Sequence, residues 1–299
     1  MKDFPIPVRA WPVGATGPGS QPADEAELAV LDMPRDMATF EMPRVPERVP
    51  AAVLRGAHDL LAGWLAALQA WDTRQSPGPV WPLSGVLAPV LDVVNQVLGE
   101  GEVAIRVNGQ PELRIQESVF SGLWRCVQLG PDGTVAADWL EAGAVPQAVL
   151  ARAHAAAREG LPDLVPPPGA MNSPALLAEI TARLLQVAPG TPAGLINLTL
   201  LPMSPDDHTS LQATLPVGPV AMISRGFGNC HVTSTLTRDV WRVQFLNSMQ
   251  TLILDTLEVV HLPEAAIAAP EDLADSRERL AELVQWLAEA AAEAREGAE

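Results

Sequence analysis

Apolar residues in the segment that follows residue 50 recur at intervals of three, four or seven positions, the spacing of one helical face. In residues 51–72 these are Leu54, Leu61, Trp64, Leu65, Leu68 and Trp71. Similar patterns predict helices at 86–98, 174–187 and 205–215. A last helix is predicted at 271–295, with Leu273, Leu280, Leu283, Leu287 and Ala291 on one face and many Glu opposite.

Between the predicted helices, apolar and polar residues alternate with the period of two that is typical of strands. Two short strands are predicted at 79–83 and 194–201. Two longer series follow, at 102–107, 112–117, 122–129 and 133–141, and at 219–224, 230–236, 239–246 and 250–260. The short connections predict antiparallel meanders. A closing helix is predicted to begin near Pro146 in the first series and near Pro270 in the second, since Pro suits the first helical turn.

The two series form an internal repeat. When the sequence is shifted by 117 positions, residues 101–151 align with 218–268 without a gap, and 14 positions are identical. LWRCVQL (123–129) falls on VWRVQFL (240–246), for example. Upstream, WPLS (81–84) matches LPMS (201–204), and each Ser is predicted to cap the following helix.

The sequence therefore predicts an α+β fold of two tandem homologous repeats, each with helices packed on an antiparallel β-meander and related by a pseudo-two-fold axis. The predicted organisation is an extended Pro/Gly-rich N-terminal arm (1–49), a first repeat (50–158), a linker (159–173), and a second repeat that includes the long C-terminal helix (174–299). The arm is either a solvated tail or a segment that docks on its own body or a partner, because it carries several Phe, Trp and Met residues.

The chain has a formal net charge of −17 and a pI near 4.6. This balance argues against nucleic-acid binding and against an anionic membrane surface, which both require clustered cations. It either attracts a basic partner segment or serves solubility alone. No apolar stretch approaches 18 residues and no secretory signal opens the chain, so we expect no membrane insertion. Two cysteines and no CxxC motif indicate a reducing compartment.

Motifs that carry catalysis are missing from the sequence: there is no GxSxG, P-loop, HExxH or glycine-rich dinucleotide pattern after a strand. The five histidines are scattered, and Cys230 and His231 are neighbours that would point to opposite faces of a strand. We therefore predict no catalytic residue, no cofactor and no metal ligand. Cys126 is predicted to be an inert, small hydrophobic residue.

One segment, SRGFGNC, stands at the predicted connection between two strands of the second repeat. Its glycines permit a positive φ or a close approach of another backbone, while its first-repeat counterpart, VNGQPEL (107–113), keeps only one glycine. The segment is either an ordinary hairpin turn or a tip with a task of its own. The candidate partner-binding residues are Ser224, Arg225, Gly226, Phe227, Gly228, Asn229 and Cys230.

The best-matched repeat positions also predict a structural ion pair in each half. Arg125 and Arg242 each follow a Trp and precede an Asp by 13 residues, Asp138 and Asp255. A two-residue loop at 131–132 would place Arg125 directly opposite Asp138, and a loop at 248–249 would do the same for Arg242 and Asp255. A bulge at Gly133 would instead bring Arg125 towards Glu141, which matches Glu258. Exposed pairs of this kind contribute about 0.2–1 kcal/mol.

Several segments together resemble one known family. They are GPGSQP (17–22), the paired MPR elements (33–35 and 42–44), LGEGEV (98–103), IQE…GLWR (115–125), LEAG (140–143), SRGFGNC, VWRVQFLNS (240–248), LPEAAIAAPEDLADS (262–276) and QWLAEA (285–290). In this order they are similar to the HupH/HyaF/HoxQ family of hydrogenase expression/formation proteins. The resemblance implies a cytoplasmic accessory protein for uptake nickel–iron hydrogenase. Its implied partners are the iron–sulfur small subunit precursor, before export through the twin-arginine pathway, and other hydrogenase accessory proteins.

Three functions remain open from the sequence. The first is a non-catalytic chaperone or scaffold that binds a hydrogenase subunit. The second is a thiol-dependent iron–sulfur or metal handling protein that uses Cys230 with ligands from another chain, because structural sites usually need four ligands. The third is an enzyme of unrecognised type. A colourless, metal-free purified protein favours the first function, an iron-dependent visible absorbance the second, and turnover of a small molecule the third.

Overall fold

The computed structural model describes residues 49–73, 77–226 and 228–296. In these residues the chain forms six α-helices, one short 3-10 helix and ten strands whose ladders are antiparallel, which confirms the predicted α+β class. The predicted N-terminal arm lies outside the described residues, except for Val49. None of the described helices combines the length and the apolar character that crossing a bilayer requires.

The chain divides into two compact units. One of them comprises the described parts of 37–104, 110–147 and 267–299. Its elements are α1 (Ala51–Ala70), β1 (Val80–Pro82), α2 (Ala88–Leu98), β3 (Glu112–Glu117), β4 (Leu123–Leu129), β5 (Val135–Ala142) and α6 (Pro270–Glu296). Its strands follow the order β1-β5-β4-β3. We call it the first unit, because it contains most of the first repeat.

The core of the first unit lies between the helices and one face of its strands. Buried side chains of α1 and α2, such as Trp64 and Val94, pack with Leu123 and Leu140 of the sheet. Leu280 and Leu287 of α6 belong to the same core. This C-terminal helix was predicted as part of the second repeat, but its apolar face packs in the first unit, alongside α1. A helical pattern shows that a face must be buried without showing which surface buries it.

The second unit comprises residues 105–109 and 148–266. Its elements are α3 (Gln147–Ala156, from residue 148), α4 (Ser173–Leu184), β6 (Gly194–Asn197), α5 (Pro205–Thr214), β7 (Val217–Ser224), β8 (Asn229–Thr235), β9 (Val240–Leu246), β10 (Leu252–Val259) and a 3-10 helix (Glu264–Ala266). Strand β2 (Val103–Val107) contributes its last three residues. The order is β7-β8-β9-β10-β6, and α4 and α5 pack on Leu257 and Val259 of β10.

Corresponding strands of the two halves are ordered alike, β1-β5-β4-β3 and β6-β10-β9-β8. The register agrees as well, since Arg125 lies opposite Leu140 and Arg242 opposite Leu257. Superposition of the two halves about a pseudo-two-fold axis stays a prediction. The largest boundary difference is in β6, predicted at 194–201. It ends at Asn197 because the side-chain oxygen of Asn197 accepts the N–H groups of Thr199 and Leu200 and turns the chain.

The two predicted serine caps have different outcomes. Ser204 caps α5, since its hydroxyl accepts the N–H of Asp207 while the Asp207 carboxylate accepts the N–H of Ser204. Ser84 caps no helix. Gly85 has a φ of 81°, so the chain turns after Ser84, and α2 begins at Ala88 behind Leu87, which offers no side-chain cap.

Candidate functional site

The predicted tip, residues 224–230, joins β7 to β8 as expected, with Ser224 paired opposite Cys230. Its ends are buried: Ser224 is 3% exposed and Cys230 is 0% exposed. Arg225, Gly226 and Gly228 are exposed and Asn229 is half-buried, while Phe227 lies outside the described residues. The solvent-facing part of the tip is therefore shorter than the predicted site.

Backbone conformation explains one glycine of the tip. Gly228 has a φ of 85°, a region that L side chains rarely adopt, and an added Cβ would meet no atom within 4 Å. A side chain at Gly228 is thus disfavoured by the backbone and not by lack of space. The space is open to solvent or to another molecule.

The turn between β9 and β10 lies beside the tip, because Asn229 is paired with Leu246. The Asn247 side chain holds this turn by accepting the N–H groups of Met249 and Thr251, each at 2.9 Å. Met249 at its apex is 83% exposed. Several long apolar side chains that are exposed close together are typical of a contact surface.

A third connection leaves β6 at the same end of the second unit. The β6–β10 register pairs Asn197 with Thr256, and the N–H of Asp255 donates to Thr199 Oγ1 at 2.8 Å. Leu200 in this connection is 78% exposed. We call the tip, the 247–251 turn and the 198–201 connection the loop end of the second unit. Of these three connections, only the tip was predicted from the sequence as a candidate site. The missed signal was an exposed apolar residue in each of the other two connections.

Neither cysteine is prepared for thiolate chemistry. Burial, together with the negative charge of Glu258, raises the pKa of Cys230 to about 12. Burial also raises the pKa of Cys126, with Glu141 and Asp138 adding to the effect. Both thiols are thus protonated at neutral pH, whereas ligands and nucleophiles are thiolates. The burial of Cys230 argues against the thiol-dependent alternative.

Both predicted ion pairs are present, but in a different register. Arg125 donates from Nε to Asp138 Oδ1 at 2.9 Å and from its terminal nitrogen to Oδ2, and Arg242 binds Asp255 in the same two-point way. Direct opposition was wrong, because Val127 lies opposite Asp138. An irregularity at Gln128/Leu129 in the first half and one at Leu252/Leu254 in the second accompany a register that is shifted by two residues. Each Arg therefore reaches its Asp diagonally.

Glu141, the alternative partner of Arg125, has another role. Its Oε1 accepts the N–H of Gln147 at 2.7 Å and its Oε2 accepts the indole N–H of Trp139 at 3.0 Å. The carboxylate thereby satisfies a donor at the first residue of α3, where negative charge is favourable. The corresponding Glu258 has a raised pKa, chiefly through burial and then through Glu264.

The structure also assembles a group that sequence spacing could not show. His154 of α3, Asp239 in the β8–β9 turn and His261 after β10 meet in the second unit. His154 Nε2 lies 2.9 Å and His261 Nδ1 lies 3.3 Å from Asp239 Oδ1. The two imidazole rings are 5.2 Å apart, edge to face. The three residues are separated by 85 and 22 positions, too far for a local motif.

Comparison with known proteins places the chain in a class of accessory proteins. The family described as "HupH hydrogenase expression protein, C-terminal conserved region" matches residues 81–161 and 170–287. The chain therefore belongs to the HupH family of hydrogenase expression/formation proteins, which confirms the resemblance found in the sequence.

Relatives match along nearly the whole chain. The hydrogenase expression/formation protein HoxQ of Cupriavidus necator is 44% identical over 96% of this chain and 99% of its own length. HupH of Rhodobacter capsulatus is 41% identical over 95% of this chain and 98% of its own. The hydrogenase-1 operon protein HyaF of Escherichia coli is 35% identical over 92% of this chain and 96% of its own length. A solved structure of HupH from Thiobacillus denitrificans, 29% identical, covers 40% of this chain and 96% of that chain with a TM-score of 0.34.

Proposed function

We propose that this protein is a non-catalytic accessory protein in the maturation of an uptake nickel–iron hydrogenase. In this proposal it binds the precursor of the iron–sulfur small subunit before export and works together with other hydrogenase accessory proteins. The names of its relatives, which are hydrogenase expression/formation proteins, support the hydrogenase part of the proposal. The buried, protonated state of Cys230 supports binding over thiol chemistry.

The observation that carries the binding role is the loop end of the second unit. There, Arg225, Leu200 and Met249 are exposed on three neighbouring connections. Exposed apolar side chains lose hydration on contact, and adjacent polar groups provide specificity. A chaperone for a folding subunit needs such a surface, since an incompletely folded client exposes apolar segments.

Charge supports a second feature of the proposed client. The net charge of −17 generates a field that accelerates the encounter with a basic segment. An export signal with arginines is such a segment. We expect the association rate to fall when the salt concentration rises from 0.1 M to 1 M, because the Debye length falls from about 10 Å to about 3 Å.

Affinity pull-down from hydrogenase-expressing cells tests the proposal. The full chain serves as bait in cells that lack the small subunit, the large subunit or neither. We expect capture of the small subunit to persist without the large subunit. Loss of all capture in cells without the large subunit would instead make the large subunit the client.

Two exposed leucines of the second unit provide a matched pair of variants. Leu200→Asp places a charge at the loop end. Leu185→Asp places a charge directly after α4, in the connection that enters β6 at its other end. Leu200 is 78% and Leu185 is 86% exposed, so neither variant should alter folding. We expect Leu200→Asp to reduce capture at least about ten-fold, a loss of roughly 1.4 kcal/mol, and Leu185→Asp to leave it unchanged. Equal capture by the two variants would contradict the role of the loop end.

A further inference from the structure

His154, Asp239 and His261 converge from three separate elements of the second unit. One ligand-type atom from each residue can be chosen so that the three atoms lie within 4.8 Å of one another. The His154 side chain is 16% exposed and that of His261 is 36% exposed, so the group faces solvent on one side. An ion could therefore enter without opening the fold.

The donor set has a recognisable chemistry. Two imidazole nitrogens and one carboxylate oxygen suit divalent ions of the later first transition series, such as Zn²⁺, Co²⁺ and Ni²⁺, better than Mg²⁺ or Ca²⁺. Bonds of 2.0–2.2 Å place neighbouring ligand atoms of a tetrahedral site roughly 3.3 Å apart. The nitrogen–oxygen separations of 2.9 and 3.3 Å are close to this value. Small side-chain rotations would complete the geometry.

The first repeat lacks Asp239 and His261 at the aligned positions, although its backbone shares one hydrogen bond and a positive φ with this part of the second repeat. Gly143 donates its N–H to the carbonyl of Gly122 at 2.9 Å, and at the matching positions Val260 donates to the carbonyl of Asp239 at 2.9 Å. Gly122 has a φ of 76° and Asp239 has a φ of 59°. His261 matches Ala144. The second repeat thus carries a carboxylate at a position where the backbone favours glycine, and an imidazole beside it.

A non-glycine residue with positive φ carries strain, and such strain is concentrated at functional sites. Asn and Asp tolerate this region better than other side chains, so the cost is moderate. A structural turn alone would be served by glycine, as in the first repeat. The carboxylate is what Asp239 adds.

Among the described residues, no fourth His, Cys, Asp or Glu joins the group, and the nearest charge to Asp239 besides the two histidines is that of Arg238. Arg238 Nε lies 3.8 Å from Asp239 Oδ2. A terminal nitrogen of Arg238 binds Glu159 Oε1 at 3.2 Å, and this contact offsets part of the charge of Arg238. Burial lowers the pKa of His154, and the positive charge of Arg238 adds to this effect while Asp239 opposes it. Metal ions bind the neutral form of imidazole.

We propose that His154, Asp239 and His261 form a binding site for one divalent transition-metal ion. Nitrogen atoms of His154 and His261 and an oxygen of Asp239 are the protein ligands, and the remaining positions are open to water or to a ligand from a partner. The site uses neither cysteine and does not depend on the proposed client. It differs from the sequence-based expectation, which contained no metal ligand.

The test uses the untagged full chain, because a histidine tag would bind the same ions. Equilibrium dialysis against Zn²⁺ measures stoichiometry and affinity, and the visible absorbance of bound Co²⁺ reports the coordination geometry. Asp239→Gly and His261→Ala introduce the residues found at the matching positions 122 and 144, so both variants should fold. His58→Ala is the control, since His58 forms a 2.9 Å pair with Asp59 on the other unit.

We expect one equivalent of Zn²⁺ in the wild type and in His58→Ala. Each site variant should weaken Zn²⁺ binding at least about ten-fold. Even the loss of a residue that only supports a metal ligand lowers metal affinity by about 10–100-fold. Circular dichroism confirms folding, and Asp239→Asn replaces Asp239→Gly if the latter unfolds. No stoichiometric binding by the wild type, or binding that survives Asp239→Gly combined with His261→Ala, would overturn the proposal.

Discussion

Arg242 binds both carboxylate oxygens of Asp255, although the residue opposite Arg242 in the β9–β10 ladder is Leu257. The pair therefore spans the ladder diagonally. Arg125 and Asp138 repeat the arrangement in the other half. The side chains of Arg242 and Asp255 are 12% and 10% exposed, respectively. Those of Arg125 and Asp138 are more exposed, at 21% and 14%. Both pairs are therefore less exposed than expected from the sequence.

This difference predicts unequal costs of removing the two arginines. Arg242→Ala leaves Asp255 partly buried without its partner, and we expect a loss of about 2–3 kcal/mol in the free energy of unfolding. Arg125→Ala should cost about 1–2 kcal/mol, because its pair is better solvated. Urea denaturation of both variants measures the two losses. Equal losses for the two variants would contradict this account. So would losses below about 0.5 kcal/mol, which are typical of fully exposed pairs.

The two repeat tryptophans predict a second matched comparison. Both Trp124 and Trp241 are 1% exposed, and replacing Trp124 by Ala should cost roughly 3–5 kcal/mol. The indole N–H of Trp124 donates to the Gly143 carbonyl at 2.8 Å, whereas that of Trp241 finds no partner among the described residues. Trp124→Phe should therefore cost about 1–2 kcal/mol more than Trp241→Phe. Thermal unfolding of the two Phe variants provides the measurement, and a larger loss for Trp241→Phe would contradict the assignment.

Asp207 predicts an acid-dependent part of the stability. Burial alone would raise the pKa of Asp207, but the N–H groups of Ser173, Ser204 and Asn172 donate to its carboxylate and hold the pKa well below its usual value. Since the folded pKa is depressed, the stabilisation is present above the unfolded value near 3.9 and is lost as pH falls below it.

The measurement compares wild type with Asp207→Asn in urea at pH 6 and at successively lower pH. We expect the wild type to be more stable at pH 6 and the difference to shrink below about pH 4. A pH-independent difference would mean that the variant acts through packing or hydrogen bonding alone and not through the charge of the carboxylate.

Burial of both cysteines predicts slow thiol chemistry. In the native protein at pH 8, we expect no rapid reaction with Ellman's reagent, because Cys126 and Cys230 are 0% exposed and the pKa of Cys230 is raised to about 12. The denatured protein should show both thiols, which serves as the control. One rapidly reacting thiol in the native protein would restore Cys230 as a candidate ligand.

Two hairpin glycines allow the function of the tip to be tested separately from its effect on stability. Gly228 and Gly133 have φ values of 85° and 78°, and an added Cβ would meet no atom within 4 Å at either position. Val at either should cost about 1–2 kcal/mol through backbone strain.

Hydrogenase maturation in cells and the melting temperature of the purified variants are then compared. We expect similar destabilisation in both variants and impaired maturation in Gly228→Val alone. Impairment by Gly133→Val to the same degree would attribute the effect to stability instead of to the tip.

Periodicity in the sequence determined much of the fold. The period of two in the strands and the apolar spacing in α1 predicted their positions closely, because alternation of burial is a local property of each element. The repeat predicted which residues would correspond, and the Arg–Asp partners followed from it. The tip was predicted as a connection between strands because strand patterns flank it on both sides, and its glycines permit a turn there.

Tertiary structure decided what depends on distant parts of the chain. The register of Arg125 against Asp138 depended on a bulge that the turn sequence does not specify. The partner of α6 depended on which surface of the fold remained uncovered. His154, Asp239 and His261 lie 85 and 22 positions apart along the chain, so their meeting follows from how α3, the β8–β9 turn and the end of β10 pack. Local patterns determine which face of an element is buried, whereas packing between elements determines which side chains meet.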